Sequence, residues 1–298
     1  MNNTIYLVDA YAHIYRCFHA VTPLTAKDGT PSNAIFGMAR FLVTLEKEFS
    51  PNAGAFVFDK GKSVDRLKIA PDYKANRPPT PESMKPQIEP IREMIRAAGW
   101  HIIEKEGFEA DDIIGTLANK FNNFNVKIIS NDKDISQVIS ERVEMLITLP
   151  KIKGFYLRNA KKVKEKFGVS PTQIVDYLSM LGDSSDNIKG ILGIGEVTAS
   201  KLLQEHESIA NMLANPHLIK NEKLREKISS NKELLERNIA MITLNTSIEL
   251  DDSSIVEKLA LKLPDVEYII ELTEKYSLKS LTNEFIKIFN KKTTPTLF

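Results

Sequence analysis

The chain has 298 residues, of which 42% are hydrophobic and 27% are charged. This length suits one large domain or two small ones, and this composition excludes a chain that is disordered throughout. The single cysteine, Cys17, excludes an internal disulfide and a cysteine-rich zinc module. No apolar run approaches the ~18 residues of a membrane span, and residues 1–4 carry no basic signal region. We therefore expect a cytoplasmic protein with no membrane contact.

The first half of the chain alternates short apolar runs with helical patterns. Residues 5–8, 55–58 and 126–129 are apolar runs of the kind that form buried strands. Residues 88–98 and 113–121 instead repeat apolar side chains every three or four positions, as one face of a helix does. Strands that alternate with helices predict an α/β fold with a mostly parallel central sheet and helices on both faces.

Residues 60–85 interrupt this alternation with a proline-rich, basic segment. They hold four of the 14 prolines and seven Lys or Arg against three acids, so we predict a partly mobile insertion after the second strand. Within it, Tyr73 precedes Lys74 and Arg77, a grouping in which the ring would stack on a base and the cations would bind phosphate. A solvated loop is the alternative interpretation.

Nine carboxylates fall where the predicted sheet would gather them. Three strands run into acids, one acidic group opens the helix before the third strand, and a further pair lies in a polar loop. The nine residues are Asp9, Asp59, Glu109, Asp111, Asp112, Asp132, Asp134, Asp183 and Asp186. Each alone is an ordinary turn or helix-start residue, but nine at one sheet edge would repel strongly without cations. Oxygen ligands favour Mg²⁺ or Mn²⁺ over zinc, and two such ions stabilise both oxygens of a phosphoryl displacement.

The charges outside this acidic group favour a polyanionic partner. The chain has 40 basic and 39 acidic residues, a formal net charge of +1. Without the nine acids, 30 acidic residues remain against 40 basic ones, so the rest of the protein carries about +10. An acidic, metal-binding pit in a basic surface is the arrangement that a nuclease needs. Residues 151–166, with seven Lys or Arg and one Glu, are either part of that surface or a solvated face.

A glycine-rich turn follows the last acids. Gly190, Gly193 and Gly195 precede a helical pattern that begins at residue 196, and such a turn offers free backbone N–H groups to a phosphate. No strand is predicted before the turn, so a dinucleotide-binding fingerprint fits poorly. The alternative is a plain corner between two helices.

Taken together and in chain order, these segments resemble the 5′-nuclease family, which comprises the 5′→3′ exonuclease region of bacterial DNA polymerase I and the flap endonucleases. The similar segments are residues 7–11, 58–59, 73–79, 109–118, 131–134 and 182–199. The resemblance implies a PIN-like α/β core at 1–165 that carries a helical arch at about 60–100. It also implies a helix–three-turn–helix (helix-hairpin-helix type) DNA-binding subdomain at 166–250. Closing helices at 251–290 and a tail at 291–298 would follow.

The resemblance implies a structure-specific, divalent-metal-dependent 5′ nuclease, a 5′→3′ exonuclease and flap endonuclease of DNA replication and repair. Its substrates would be DNA with a 5′ end or 5′ flap, and RNA primer–DNA hybrids. Two Mg²⁺ or Mn²⁺ ions would be held by two acidic groups. The first group is Asp9, Asp59, Glu109 and Asp111, and the second is Asp132, Asp134, Asp183 and Asp186. Asp112 would act beside the first group through water.

The resemblance also implies how DNA is held. Lys74 and Arg77 would contact the scissile phosphate, Tyr73 would place the terminal base, and Arg16 would bind another phosphate. The turn would grip the duplex backbone, with a K⁺ ion on the main-chain carbonyls of Gly190–Gly195. The implied duplex contacts are Lys189, Gly190, Gly193, Gly195, Thr198 and Lys201. Val197 stands where the family often has Lys, which leaves one phosphate contact open.

Further expectations concern partners and rivals. The C-terminal Leu297-Phe298 resembles the short peptides that dock on bacterial sliding clamps, with a frayed end as the alternative. We expect a monomer. A non-catalytic DNA junction-binding protein is the rival from another class. A phosphatase of another α/β fold fits less well, because Asp9 lacks a second aspartate two positions on, where Tyr11 stands.

Overall fold

The computed structural model describes residues 4–121, 123–149, 154–250 and 259–290. Its main strands are β1 (Thr4–Asp9), β2 (Gly54–Val57), β3 (His101–Ile103), β4 (Asn125–Ile129), β5 (Val143–Thr148) and β6 (Phe155–Arg158). They form one sheet in the order β3-β2-β1-β4-β5-β6. Strands β1 to β5 run parallel, and β6 is antiparallel to β5. The predicted mostly parallel sheet is therefore confirmed.

Helices follow most of the strands and then dominate the second half of the chain. They are α1 (Ala10–Ala20), α2 (Asn33–Phe49), α3 (Val64–Ile69), α4 (Ile88–Ala97), α5 (Ala110–Lys120), α6 (Ala160–Phe167), α7 (Ile174–Leu181), α8 (Glu196–His206), α9 (Ile209–Ala214), α10 (Glu222–Ser230), α11 (Lys232–Ile242), α12 (Val266–Lys275) and α13 (Lys279–Phe289). Side-chain caps set several of their starts, as where Asp9 accepts from the backbone N–H of Ala12 at 3.1 Å. In the described ranges, no helix is long and apolar enough to cross a membrane.

The two faces of the sheet bury different side chains. In β1, Ile5 and Leu7 join a core that includes residues of α5 and α7, whereas Tyr6 and Val8 join a core that includes residues of α1, α2 and α4. All four side chains are at most 5% exposed. A parallel sheet covered on both faces requires such continuous apolar strands, which is why these short runs were recognisable in the sequence.

The segment between β2 and β3 differs from the expected arch in its second half. Helix α4 packs on the core through Ile91, Met94 and Ile95, each at most 1% exposed. Parallel neighbours such as β2 and β3 need a crossover connection, and α4 provides it. Residues 88–97 therefore form a crossover helix of the core, and the extent of the arch at about 60–100 stays a prediction.

Helices α7 and α8 flank the glycine-rich turn, as the resemblance implied. The turn region begins with a short antiparallel pair, β7 (Gly182–Asp183) and β8 (Ile188–Lys189). Asn238 of α11 is fully buried and donates to the carbonyls of Ser179 at 2.9 Å and Lys189 at 2.8 Å. These two bonds link α11 to α7 and to the end of β8.

Helices α12 and α13 complete the second core. Leu272 and Phe285 are buried in the same cluster as α2 and α4. Residues 251–258 of the expected closing segment lie outside the described residues. So do residues 150–153, which belong partly to the basic run, and residues 291–298 with Leu297-Phe298.

Candidate active site

An acidic pit opens at the carboxyl edge of the sheet. Asp9 ends β1, Asp59 follows β2, Asp132 follows β4, and Asp111 lies in the first turn of α5. These four carboxylates line one cavity of about 600 Å³. Because adjacent parallel strands end at the same edge, acids distant in the sequence meet here.

Burial and mutual repulsion raise the pKa of carboxyls in the pit and beside it. Desolvation, followed by the charge of Asp59, raises the pKa of Asp9 to about 7. Desolvation together with Asp132 and Asp9 raises the pKa of Asp111 well above its usual value. Desolvation and then Asp132 raise the pKa of Asp134 to about 8. These carboxyls are therefore all ionised near neutral pH only when cations lie among them.

Side chains of the insertion hold two further acids. Lys74 Nζ lies 2.7 Å from Glu109 Oε1, and Arg77 Nη2 lies 2.6 Å from Asp186 Oδ1. The Tyr73 hydroxyl lies 2.9 Å from Glu109 Oε2 and 3.0 Å from Asp186 Oδ2. One phenolic proton therefore bridges an acid of the first predicted metal group and an acid of the second.

Residues 72–77 are docked on the loop that carries Asp186. The Lys74 N–H donates to the Asp186 carbonyl at 3.1 Å, and Asn76 Nδ2 donates to the Ser184 carbonyl at 2.6 Å. Lys74 has a φ of 55°, in the left-handed region that residues other than glycine rarely adopt. Such backbone strain persists where surrounding contacts enforce it, and here it keeps the lysine at the rim of the pit.

The donor set fits hard divalent cations. The pit offers carboxylate oxygens, the ligands that Mg²⁺ and Mn²⁺ prefer. Asp134 Oδ1 is buried without a hydrogen-bond partner, which makes it an available ligand atom. Among the described residues, no three acids converge as ligands of one ion, and basic side chains neutralise several of them instead. Lys133 Nζ, for example, lies 2.8 Å from Asp183 Oδ2.

Two predicted site residues have different surroundings from those expected. Asp112, expected beside the first metal group, is 2% exposed and pairs with Arg66 at 2.6 Å and 2.8 Å. Tyr73, expected to place a base, is 4% exposed, with its ring in the core. Arg66 was not predicted as a site residue. It lies three positions after Ser63 and four before Ala70, a spacing that places the three residues on one helix face, and all three are buried.

We expect Tyr73→Phe to lower the free energy of unfolding of the metal-free protein by about 1–3 kcal/mol, because Glu109 and Asp186 lose a shared donor in a buried place. Urea unfolding in EDTA measures this loss. Tyr15→Phe, which removes a hydroxyl that pairs with Thr80 at 2.8 Å, is the matched control. The base-placing role would be supported instead if Tyr73→Phe leaves the stability unchanged and if Tyr73→Ala, but not Tyr73→Phe, weakens DNA binding.

The glycine-rich turn presents its backbone to solvent. Gly193 has a φ of 78°, which glycine adopts freely, and the neighbouring Leu192 is 92% exposed. The ammonium of Lys227, from α10, donates to the Leu192 carbonyl at 2.7 Å. A Cβ at position 193 would collide with that ammonium. Val197 is 67% exposed at the start of α8.

The other residues predicted to contact DNA lie mostly near the surface. Lys189, Gly195 and Lys201 are exposed, and Gly190 and Thr198 are half-buried. Arg16 is half-buried, and its Nη2 donates to the Leu149 carbonyl at 2.6 Å. The turn residues are therefore exposed or half-buried, and Arg16 lies on α1, which packs on the sheet.

The parallel sheet, its acidic edge and the helix–turn–helix module together form the architecture of an α/β nuclease. Two family models match the chain in succession. The 5′-3′ exonuclease N-terminal resolvase-like domain matches residues 4–168, and the 5′-3′ exonuclease C-terminal SAM fold matches residues 169–267. The chain belongs to the 5′-3′ exonuclease family, as its motifs indicated.

Individual relatives agree with this assignment. A 5′-3′ exonuclease of Aquifex aeolicus (strain VF5) is 38% identical over 297 residues, which cover 99% of each chain. DNA polymerase I of Bacillus caldotenax is 36% identical over 284 residues, which cover 94% of this chain and 32% of that protein. The chain thus spans about a third of the polymerase.

Solved structures show the same fold at low sequence identity. T5 5′-exonuclease with bound divalent zinc ions has a TM-score of 0.65 at 22% identity, covering 96% of this chain and 99% of the other. Flap endonuclease-1 from Methanococcus jannaschii has a TM-score of 0.61 at 17% identity, covering 97% and 92%.

Proposed function

We propose that this protein is a structure-specific 5′ nuclease that hydrolyses phosphodiesters at the 5′ ends and flap junctions of DNA. One observation carries the proposal: the acidic pit lies beside Lys74 and Arg77, which the insertion holds at its rim. The similar structures of a flap endonuclease and of T5 5′-exonuclease with divalent ions support it. The DNA polymerase I relatives support a role in replication and repair, with RNA primers or displaced flaps as targets.

Two Mg²⁺ or Mn²⁺ ions are the cofactors that we propose. The residues that would hold them are Asp9, Asp59, Glu109, Asp111, Asp132, Asp134, Asp183 and Asp186. When bound, the ions would supply the charge that stabilises the attacking and leaving oxygens of the phosphate.

The insertion then supplies the remaining contacts to the scissile phosphate. Lys74 and Arg77, once freed from Glu109 and Asp186, turn their charged groups to the phosphate oxygens and stabilise the charge that develops there. The backbone bond from Lys74 to the Asp186 carbonyl keeps the lysine within reach. No side-chain nucleophile is needed, and the buried Cys17 takes no part.

A labelled flap tests the proposal. A 5′-labelled flap duplex is incubated with the protein and MgCl₂, beside an EDTA sample and an Asp111→Asn sample. Asp65→Asn, an exposed acid on α3, controls for the loss of one negative charge. Short labelled products that disappear in EDTA and in Asp111→Asn, but persist in Asp65→Asn, are expected. Tight binding without products in Mg²⁺ or Mn²⁺ would instead indicate a non-catalytic junction-binding protein.

We propose that the turn between α7 and α8 binds the duplex backbone. A substitution at Val197 tests this proposal. We expect Val197→Lys to tighten duplex binding, because the exposed position gains a phosphate contact. The slope of log K against log salt should steepen by about 0.9. Fluorescence anisotropy over a range of KCl concentrations measures both. Val197→Gln, which adds polarity without charge, is the control, and equal slopes for the two variants would contradict this placement of the duplex.

The K⁺ ion expected at the turn is a proposal. The Lys227 ammonium contacts one of the turn carbonyls that would bind this ion. Because the Lys227 ammonium already contacts the Leu192 carbonyl, we expect duplex binding to be similar in KCl and NaCl. Lys227→Met should make binding several-fold stronger in KCl than in NaCl, since the carbonyl then needs another cation. Lys223→Met, on the same helix, is the control. Wild-type binding that already depends on K⁺ would show that the ammonium does not replace the ion.

We assign catalysis to residues 1–165 and duplex binding to residues 166–250, in a cytoplasmic monomer. RNA primer–DNA hybrids are a second substrate class, which a flap with a ribonucleotide 5′ strand tests in the same assay. The segment with Leu297-Phe298 is proposed to dock on a sliding clamp. Unchanged clamp binding after deletion of residues 294–298 would exclude that contact.

A further inference from the structure

Arg66, in the middle of α3, carries a buried positive charge beside the acidic pit without lining its cavity. We propose that Arg66 is a positioning residue that fixes Glu109 for metal binding, and that Asp112 is the counter-charge of Arg66 rather than a member of the metal-binding set. This inference rests on the proposed function, because it concerns the same cations.

Every N–H donor of the Arg66 guanidinium has an acceptor. Nη1 donates to Asp112 Oδ2 at 2.6 Å and to Glu109 Oε2 at 3.0 Å, while Nη2 donates to Asp112 Oδ1 at 2.8 Å. Nε donates to the Met241 carbonyl at 2.7 Å, and Nη2 also reaches the Thr243 carbonyl at 3.4 Å. A planar fork that uses all five donors holds its partners in one geometry, which an ammonium does not reproduce.

Asp112 is turned away from the pit. Asp111 and Asp112 are consecutive in α5, so their side chains point about 100° apart around the helix. Asp111 lines the large cavity, whereas Asp112 lines a separate cavity of about 340 Å³ beside α3. Both Asp112 oxygens are taken, because Oδ1 also accepts from the backbone N–H of Asn245 at 2.9 Å.

The same guanidinium joins three elements around Glu109. It belongs to α3 at the base of the insertion, it holds Glu109 at the start of α5, and it binds carbonyls at the carboxyl end of α11. A cation is favourable there, because a helix C-terminus carries partial negative charge. With Oε2 held by Arg66 and Tyr73, Glu109 has a fixed orientation, and Oε1 is directed toward Lys74 at the rim. Positioning of this kind acts on metal affinity through the ligand that it orients.

A double-mutant cycle on Mg²⁺ binding tests the inference. The variants are Arg66→Met, Asp112→Asn and their combination, with Asp111→Asn as the reference for a lost ligand. Lys68→Met, an exposed lysine on α3, controls for the loss of a positive charge. Calorimetry with MgCl₂ gives the dissociation constant without reference to activity, and the Mg²⁺-dependent rise of the melting temperature gives a second value. Flap cleavage is measured in parallel as separate kcat and KM values.

We expect Arg66→Met to raise the Mg²⁺ dissociation constant about tenfold and Asp112→Asn to change it by less than threefold. In the Arg66→Met background, Asp112→Asn should cause no further loss, because its partner is already gone. Asp111→Asn should raise the constant more than 100-fold. High Mg²⁺ should restore kcat in Arg66→Met, while KM for the flap stays within twofold of wild type.

Two results would overturn the inference. If Asp112→Asn weakens Mg²⁺ binding by the same large factor in both backgrounds, Asp112 belongs to the metal-binding set. If Arg66→Met lowers the melting temperature but leaves the Mg²⁺ constant unchanged, the pair is structural only. Should Arg66→Met not fold by circular dichroism, Arg66→Lys replaces it in the cycle, since lysine keeps the charge but loses the fork.

Failure of the proposed function is distinguishable from failure of this inference. Wild-type protein that binds Mg²⁺ but cleaves no flap overturns the function, and the binding cycle still decides the role of Arg66. Wild-type protein that binds neither Mg²⁺ nor Mn²⁺ overturns both.

Discussion

Asp111→Asn is expected to lower Mg²⁺-dependent cleavage by orders of magnitude and, at the same time, to make the metal-free protein more stable. Asp111 lies among carboxylates, and burial together with Asp132 and Asp9 raises its pKa well above the usual value. In the metal-free protein this side chain must stay ionised beside like charges or take up a proton. Both states cost free energy relative to the unfolded chain, and an amide avoids both.

The two effects should differ greatly in size. A lost metal ligand removes several kcal/mol of charge stabilisation in the transition state, so we expect cleavage to fall by roughly 10³-fold. Relief of repulsion should raise the free energy of unfolding in EDTA by about 1–2 kcal/mol. The variant should therefore melt at a higher temperature than wild type in EDTA, and this order should reverse in saturating MgCl₂.

Calorimetric melting with EDTA and with MgCl₂ measures the stability effect, and flap cleavage measures the activity. Asp65→Asn again serves as the charge-matched control, since the Asp65 side chain is 67% exposed and pairs only loosely with Lys68. It should leave cleavage and the effect of Mg²⁺ on melting unchanged. If Asp111→Asn lowers stability in EDTA, the carboxylate has a structural role in the fold that the raised pKa does not indicate.

The position of the acidic pit was predictable because it follows from local signals. Asp9, Asp59 and Asp132 each follow an apolar run, and parallel strands bring their carboxyl ends together whatever lies between them. The apolar runs are readable because both faces of the sheet are buried. The positions of these three acids could therefore be predicted from the strand positions, because the carboxyl ends of parallel strands meet at one edge of the sheet.

Pairing within the site was not predictable in this way. Arg66 is one of seven basic residues in residues 60–85, and its partners Glu109 and Asp112 follow 43 and 46 positions later. A sequence pattern places a side chain on the inner face of a helix, but it does not identify what lies opposite. For the same reason the sequence did not indicate that the Tyr73 hydroxyl contacts two buried acids, and the base-placing role of its ring stays a prediction.

Two different predictions were made for the residues between about 88 and 100. The helical spacing of Ile91, Met94 and Ile95 predicted a buried amphipathic helix, whereas the family resemblance assigned the same residues to an arch. The spacing is confirmed, since these side chains are buried in the second core, while the assignment to an arch stays a prediction. Hydrophobic periodicity follows from burial itself, so it predicts this helix without reference to any related fold.

The stability of the metal-free protein should fall as the pH rises from 6 to 8.5. The folded-state pKa is about 7 for Asp9 and about 8 for Asp134, because burial and neighbouring carboxylates favour their protonated forms. In the unfolded chain both are ionised above pH ~4. The folded state thus binds more protons in this window, and the stability that those protons provide is lost as the pH passes through each folded-state pKa.

The expected size follows from 1.36 kcal/mol per pH unit for each group. Asp9 loses its share of this stability between pH 6 and its pKa of about 7, and Asp134 loses its share between pH 6 and its pKa of about 8. The total is on the order of 4 kcal/mol. His13 opposes this fall only at the lower edge of the window, because burial lowers its folded-state pKa to about 4. It costs stability only as the pH falls below about 6.5.

Urea unfolding in EDTA at half-unit steps of pH measures the slope, and saturating MgCl₂ should flatten it, because bound cations favour the ionised carboxylates at every pH. Asp134→Asn should reduce the slope between pH 6 and 8, while Asp65→Asn should retain all of it. Stability that stays constant from pH 6 to 8.5 without metal would mean that Lys74, Arg77 and Lys133 already neutralise the pit. The pit would then have to exchange those side chains for metal ions before it could act, and metal binding would release few protons.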